Sequence, residues 1–146
     1  MTETASTQDE PRQIRVLIAD DHGLVRRGLE MILTLDEDVV VVGQAANGRD
    51  AVELALRLRP DVVLADISMP PPDGIEVARI LRMQLPEAKT LIVTMHEDAH
   101  MVRTALKAGA AGYLIKRAMG DELLEAVRTV AAGRRYVDPF TSTGLK

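Results

Sequence analysis

The stretch D61-V-V-L-A-D-I-S-M-P-P-P-D-G74 decides how this chain folds. Residues 61–66 are an apolar run bounded by two aspartates, the pattern of a short strand buried in a parallel sheet. The run stops at Asp66. Three prolines, Pro70, Pro71 and Pro72, then lead into Asp73-Gly74, a helix N-cap and its first residue. Open α/β sheets present their reactive groups at the carboxyl ends of the strands, so Asp66 is the carboxylate that the other elements must serve. Proline locks φ, and three in succession predict a stiff loop over residues 69–73.

Upstream, residues 14–19 read as a strand closed by Asp20-Asp21, and residues 22–35 carry apolar side chains at helical spacing. Four valines open a second strand at 39–43, Asn47-Gly48 signals a turn, and 49–59 reads as a helix stopped by Pro60. Downstream come a helix at 74–85, a strand at 89–94, a helix at 98–108 ending at Gly109, a strand at 111–115 and a helix at 119–132. Strict strand–helix alternation, repeated five times, implies a parallel sheet with helices on both faces. Periodicity does not supply the strand order. Residues 1–12 are polar and read as a disordered tail, 13–134 as the folded domain, and 135–146 as the start of a linker.

Composition narrows the chemistry. At 146 residues and 47% hydrophobic the chain suits one domain, but with Phe140 its one phenylalanine, two tyrosines and no tryptophan, the core must be aliphatic. Absence of cysteine excludes disulfides, Cys-ligated zinc and thiol catalysis. A net charge of −4 argues against a broad basic face for nucleic acid. No apolar run approaches the ~20 residues of a membrane span, and residues 1–13 lack the apolar core of a signal peptide. The expectation is a cytoplasmic protein.

At one edge of such a sheet, Asp20-Asp21, Asp66, Thr94 and Lys116 all follow strand ends and can converge. Taken singly, each has a bland reading: Asp as a cap, Thr94 as a turn residue, Lys116 as a solvated cation. Together they form a set that caps alone do not require. Three carboxylates repel unless a cation joins them, and an oxygen-only set without His or Cys suits Mg²⁺. Asp66 can then act as nucleophile toward a phosphoryl group whose oxygens Lys116 and the Thr94 hydroxyl hold.

Asp20-Asp21, D66-I-S-M-P-P-P-D-G74, T94-M-H-E-D98 and G109-A-A-G-Y-L-I-K116, in that order and at those intervals, resemble the response-regulator receiver domain, NarL/FixJ type, over residues 14–136. The resemblance implies an α/β, flavodoxin-like, five-stranded parallel sheet of order 2-1-3-4-5 in three layers. It implies Asp66 as phosphoacceptor, loaded from a phosphohistidine of a sensor histidine kinase. Mg²⁺ is expected on Asp20, Asp21, Asp66 and the Ser68 backbone carbonyl. Thr94 and Tyr113 are implied as the switch pair, with Lys116 on the phosphoryl group; Ser68 and His96 are implied to tune dephosphorylation. Two departures stand out. Arg117 follows Lys116 where many receivers have a cis proline, so a cis bond there belongs to the costly non-proline kind. Pro71 and Pro72 replace the usual Gly and Met of the loop.

Relatives of this type carry a helix-turn-helix DNA-binding domain after a linker, and no such domain fits in the residues after Tyr136. The expected function is phosphorylation-controlled transcription through that further domain, with homodimerisation through helix four, strand five and helix five, or through helices one and five. A stand-alone receiver and a phosphorylation-independent interaction module are the alternatives. A haloacid-dehalogenase-like phosphatase would need an acid two residues after its nucleophile, where this chain has Ser68; a flavodoxin would need a Ser/Thr/Gly-rich phosphate loop after the first strand. The expectation is therefore a signalling switch rather than an enzyme with turnover.

Overall fold

β3 (Val62–Ala65) is buried along its whole length and lies between β1 (Ile14–Ala19) and β4 (Lys89–Thr94) in a parallel sheet of order β2-β1-β3-β4-β5-β6. A computed structural model describes residues 12–118 and 120–137. Its remaining elements are α1 (Gly23–Leu33), β2 (Val39–Ala45), α2 (Gly48–Leu58), α3 (Gly74–Gln84), α4 (Ala99–Ala108), β5 (Gly112–Ile115), a 3₁₀ turn (Lys116–Ala118), α5 (Asp121–Ala131) and β6 (Tyr136–Val137).

Successive side chains of a strand point to opposite faces, and the apolar residues divide accordingly. Leu17, Val63, Ile92 and Tyr113 pack with α2, α3 and α4 on one face. Val16, Ile18, Leu64, Leu91 and Leu114 pack with Leu29 and Leu33 of α1 and Leu123, Val127 and Val130 of α5 on the other. Three layers result, and the strand order matches the flavodoxin-like expectation. Asp73 caps α3 through a capping box with Glu76: its carboxylate accepts from the Glu76 N–H at 2.9 Å, and Glu76 accepts from the Asp73 N–H at 2.9 Å.

Two features depart from the sequence reading. β2 extends to Ala45, beyond the expected end at 43, because Val42 bulges out: Val16 pairs with Val41 and Leu17 with Gly43. The bulge falls at a glycine whose missing side chain makes room for Leu58 and Leu17. The sheet also gains a sixth strand, Tyr136 opposite Gly112 and Val137 opposite Tyr113, inside the segment expected to begin the linker. Two residues are too few to carry a period. Gly112 allows the approach, since a Cβ there would lie 2.6 Å from the Tyr136 carbonyl oxygen. Of the expected polar tail, Arg12 is described and pairs with Asp61 at 3.2 Å; residues 1–11 and the linker from 138 onward lie outside the described residues. No helix among the described residues is long and apolar enough to cross a membrane.

Candidate functional site

Hydrogen bonding of the sheet continues one residue past the strands and fixes two carboxylates. The Asp20 N–H donates to the Ala45 carbonyl and the Asp66 N–H to the Ala19 carbonyl, each at 3.1 Å. Their side chains are 1% and 3% exposed. Lys116 Nζ, carried in from the end of β5, donates to Asp20 Oδ2 and to Asp66 Oδ2, both at 2.8 Å. The Ser68 N–H donates to Asp66 Oδ1 at 3.1 Å, and the buried Thr94 hydroxyl lies close enough to help lower the Asp66 pKa. Asp66 is therefore no helix cap, and Lys116 is no solvated cation.

The charges follow from the contacts. Burial pushes the Asp66 carboxyl up, but hydrogen bonds from Lys116, Ser68 and Thr94 and the Lys116 charge outweigh it and hold it below the usual carboxylate range. Burial pulls the Lys116 ammonium down, and Asp20 and Asp66 overcome that and raise it. Asp66 is thus ionised at neutral pH.

Gly74 belongs to this construction although the sequence marks it as no more than a helix start. A Cβ there would lie 2.5 Å from the Asp66 carbonyl oxygen. The first turn of α3 is therefore packed directly behind the acidic residue.

At the rim, Asp21 and His22 are exposed. A histidine stands beside the carboxylates there: one ligand atom from each of Asp20, Asp21, His22 and Asp66 lies within 4.8 Å of the others. The sequence reading put His22 in the first helix. Instead α1 starts at Gly23, and His22 is its N-cap residue with φ −100° and ψ 111°. From there its N–H donates to Asp20 Oδ1 at 2.9 Å, and Nδ1 lies 3.3 Å from Asp20 Oδ1 and 3.0 Å from Asp21 Oδ1. Three carboxylates against one ammonium leave an excess of negative charge that fits a divalent cation.

A third group lies over the site. Ser68 Oγ is 3.2 Å from His96 Nε2, the His96 N–H makes a long 3.5 Å contact with Thr94 Oγ1, and the Tyr113 hydroxyl donates to the His96 carbonyl at 2.7 Å. Tyr113 is fully buried, and burial together with the Asp98 and Asp66 charges raises its pKa. The expected switch and tuning residues thus form one connected chain. The Lys116–Arg117 bond is trans, and the cis bond among the described residues is Pro71–Pro72.

This constellation on this sheet accompanies a clear kinship. The model of the response regulator receiver domain matches residues 16–128. The chain belongs to that family. This receiver is 41% identical over 138 residues to the transcriptional regulatory protein DegU of Brevibacillus brevis, covering 94% of this chain and 58% of DegU. It is 42% identical over 133 residues to the oxygen regulatory protein NreC of Staphylococcus haemolyticus, covering 90% and 61% respectively. The solved signal receiver domain of NarL from Mycobacterium tuberculosis is 40% identical with a TM-score of 0.82, covering 85% of this chain and all of that one. These relatives make it a receiver of the NarL/FixJ type, a group of signalling proteins rather than classical enzymes. The receiver spans about three fifths of the length of these two curated relatives.

Proposed function

We propose that this receiver works in the cytoplasm, accepts a phosphoryl group on Asp66 from the phosphohistidine of a sensor histidine kinase and thereby controls a transcriptional output. The observation that carries this reading is the Lys116 ammonium shared at 2.8 Å between the buried carboxylates of Asp20 and Asp66. A lysine held there by carboxylates is placed to follow a phosphoryl oxygen once one is attached. Asp66, kept ionised, attacks phosphorus; the P–N bond to the kinase histidine breaks, and the electron pair leaves on the imidazole. Asp20, Asp21, Asp66 and the Ser68 carbonyl would hold Mg²⁺, which neutralises charge on the phosphoryl oxygens when bound.

The Thr94 hydroxyl then exchanges Asp66 for the phosphoryl group, and His96 and Tyr113 carry the change to the loop before α4. Ser68 and His96, bonded to each other above Asp66, control water access and hence the lifetime of the acyl phosphate. The transcriptional part of the reading draws on DegU, a transcriptional regulatory protein of which this chain covers only part. Two copies associate in the phosphorylated state through the face made by α4, β5 and α5.

The test is incubation with Mg²⁺ and acetyl phosphate, comparing the wild type with Asp66→Asn by intact mass. A single phosphoryl adduct on the wild type and none on the variant is expected. An adduct that survives the substitution would sink the assignment. His96→Ala is expected to alter adduct lifetime while loading persists.

A further inference from the structure

We propose that His22 is a metal-selecting ligand of this site, its imidazole nitrogen joining the carboxylates and shifting preference from Mg²⁺ toward Mn²⁺, Ni²⁺ and Zn²⁺. The inference rests on the reading that Asp20, Asp21 and Asp66 hold a divalent cation. Two donors bound about 2.1 Å from one ion at right angles are about 3 Å apart. His22 Nδ1 stands 3.0 Å from Asp21 Oδ1 and 3.3 Å from Asp20 Oδ1, the separations along an edge of such a polyhedron.

The ring is positioned by its own backbone. His22 is the N-cap residue of α1, and its N–H is held by Asp20 Oδ1 at 2.9 Å. The two aspartates are the partners of its side chain among the described residues, and the side chain is 64% exposed, so the imidazole can turn onto an ion without breaking a core contact. Nδ1 as ligand leaves Nε2–H directed to water. Mg²⁺ takes oxygen donors and keeps water at remaining positions, so the imidazole contributes little to it. Ions later in the first transition row gain from an imidazole nitrogen, in the order Mn²⁺, Ni²⁺, with Zn²⁺ also well suited.

The experiment uses the untagged full chain. Electron spin-echo envelope modulation of the Mn²⁺ complex is expected to show ¹⁴N coupling in the wild type. It should vanish in His22→Gln and persist in His96→Gln, which removes the other histidine near Asp66. Calorimetric titrations should show Ni²⁺ affinity falling about tenfold or more in His22→Gln, with Mg²⁺ affinity changed less than about twofold. Absent ¹⁴N coupling in the wild type, or equal losses for Mg²⁺ and Ni²⁺, overturns the role of His22. Asp21→Asn separates the two readings. If it weakens Mg²⁺ binding while ¹⁴N coupling is absent from the wild type, the carboxylate site stands and His22 fails. If it leaves Mg²⁺ and Mn²⁺ binding unchanged, the carboxylate site itself fails, and this proposal with it.

Discussion

Asp20 and Asp66, 1% and 3% exposed, share the Lys116 ammonium, so substitutions on the two sides of that contact have opposite consequences. Lys116→Met leaves two buried carboxylates facing each other. Removing one partner of a buried ion pair costs about 3–5 kcal/mol, and a loss of that order is expected in urea unfolding with EDTA present. Asp66→Asn instead removes one negative charge from an over-acidic cluster, and should be neutral or stabilising under the same conditions. The pH dependence has a definite sign. The folded Asp66 pKa is lowered, so the contribution of the pair is present above the ordinary carboxylate value and lost as pH falls through the folded one. Lys116 is raised, so the contribution persists below the ordinary lysine value and is lost as pH rises through the folded one. The gap between wild type and Lys116→Met should therefore hold through neutral pH and close in acid, as the carboxylates facing each other in the variant take up protons. A gap that widened in acid would contradict the charge assignment.

The β3–α3 loop is held at both ends by glycines rather than by its prolines alone. A Cβ on Gly48 would lie 1.9 Å from the Pro72 carbonyl oxygen, and one on Gly74 would lie 2.5 Å from that of Asp66. Gly48→Ala must therefore displace the loop from α2, at a cost of about 1–3 kcal/mol for overpacking. Amide relaxation at Met69 and Asp73, the residues flanking the prolines, should report a rigid loop in the wild type and added nanosecond motion in the variant; identical order parameters would count against the clamp. This contact also shows what local sequence can carry. Strands and helices were legible because burial on one or two faces imposes a period, and the Asp73 cap because its partner, Glu76, is three residues away. The Gly48–Pro72 approach joins two elements with no common period, and the two residues of β6 are too few to show one. His22 was misplaced for a related reason: it precedes a good helical pattern, and only the backbone at Gly23 reveals that the helix starts after it. Asp66, Asp20 and Lys116 were legible because a parallel sheet brings every strand end to one edge. The Ser68–His96–Tyr113 linkage was legible only through family resemblance, since neither spacing nor composition connects those residues.

At the scale of the whole molecule, a face can report phosphorylation only if it differs between the two states. The Thr94–His96–Tyr113 chain ends beneath the loop that leads into α4, and none of its hydrogen bonds among the described residues reaches α1. The large exposed apolar side chains Leu24 and Met31 of α1, with Leu35 just beyond it, stand apart from that chain of hydrogen bonds. The proposed face carries charge instead: Arg103 and Lys107 are exposed on α4, Asp121 and Glu125 on α5. In a two-fold arrangement each patch of one copy meets its complement on the other, so every pair counts twice. Exposed pairs contribute about 0.2–1 kcal/mol each, and four of them amount to roughly fourfold to a thousandfold in dimer affinity. Arg103→Glu with Lys107→Glu should weaken the beryllofluoride-induced dimer in gel filtration, and so should Asp121→Lys with Glu125→Lys. Mixing the two charge-reversed proteins should restore the association as a heterodimer, because one of the two symmetry-related contacts becomes complementary in reversed polarity while the other keeps its original charges on both sides. Added salt should weaken the wild-type dimer within the same range of ionic strength that screens surface pairs. Leu24→Asp with Met31→Asp should leave the dimer intact; its loss there, with the charge reversals silent, would move the regulated face to α1.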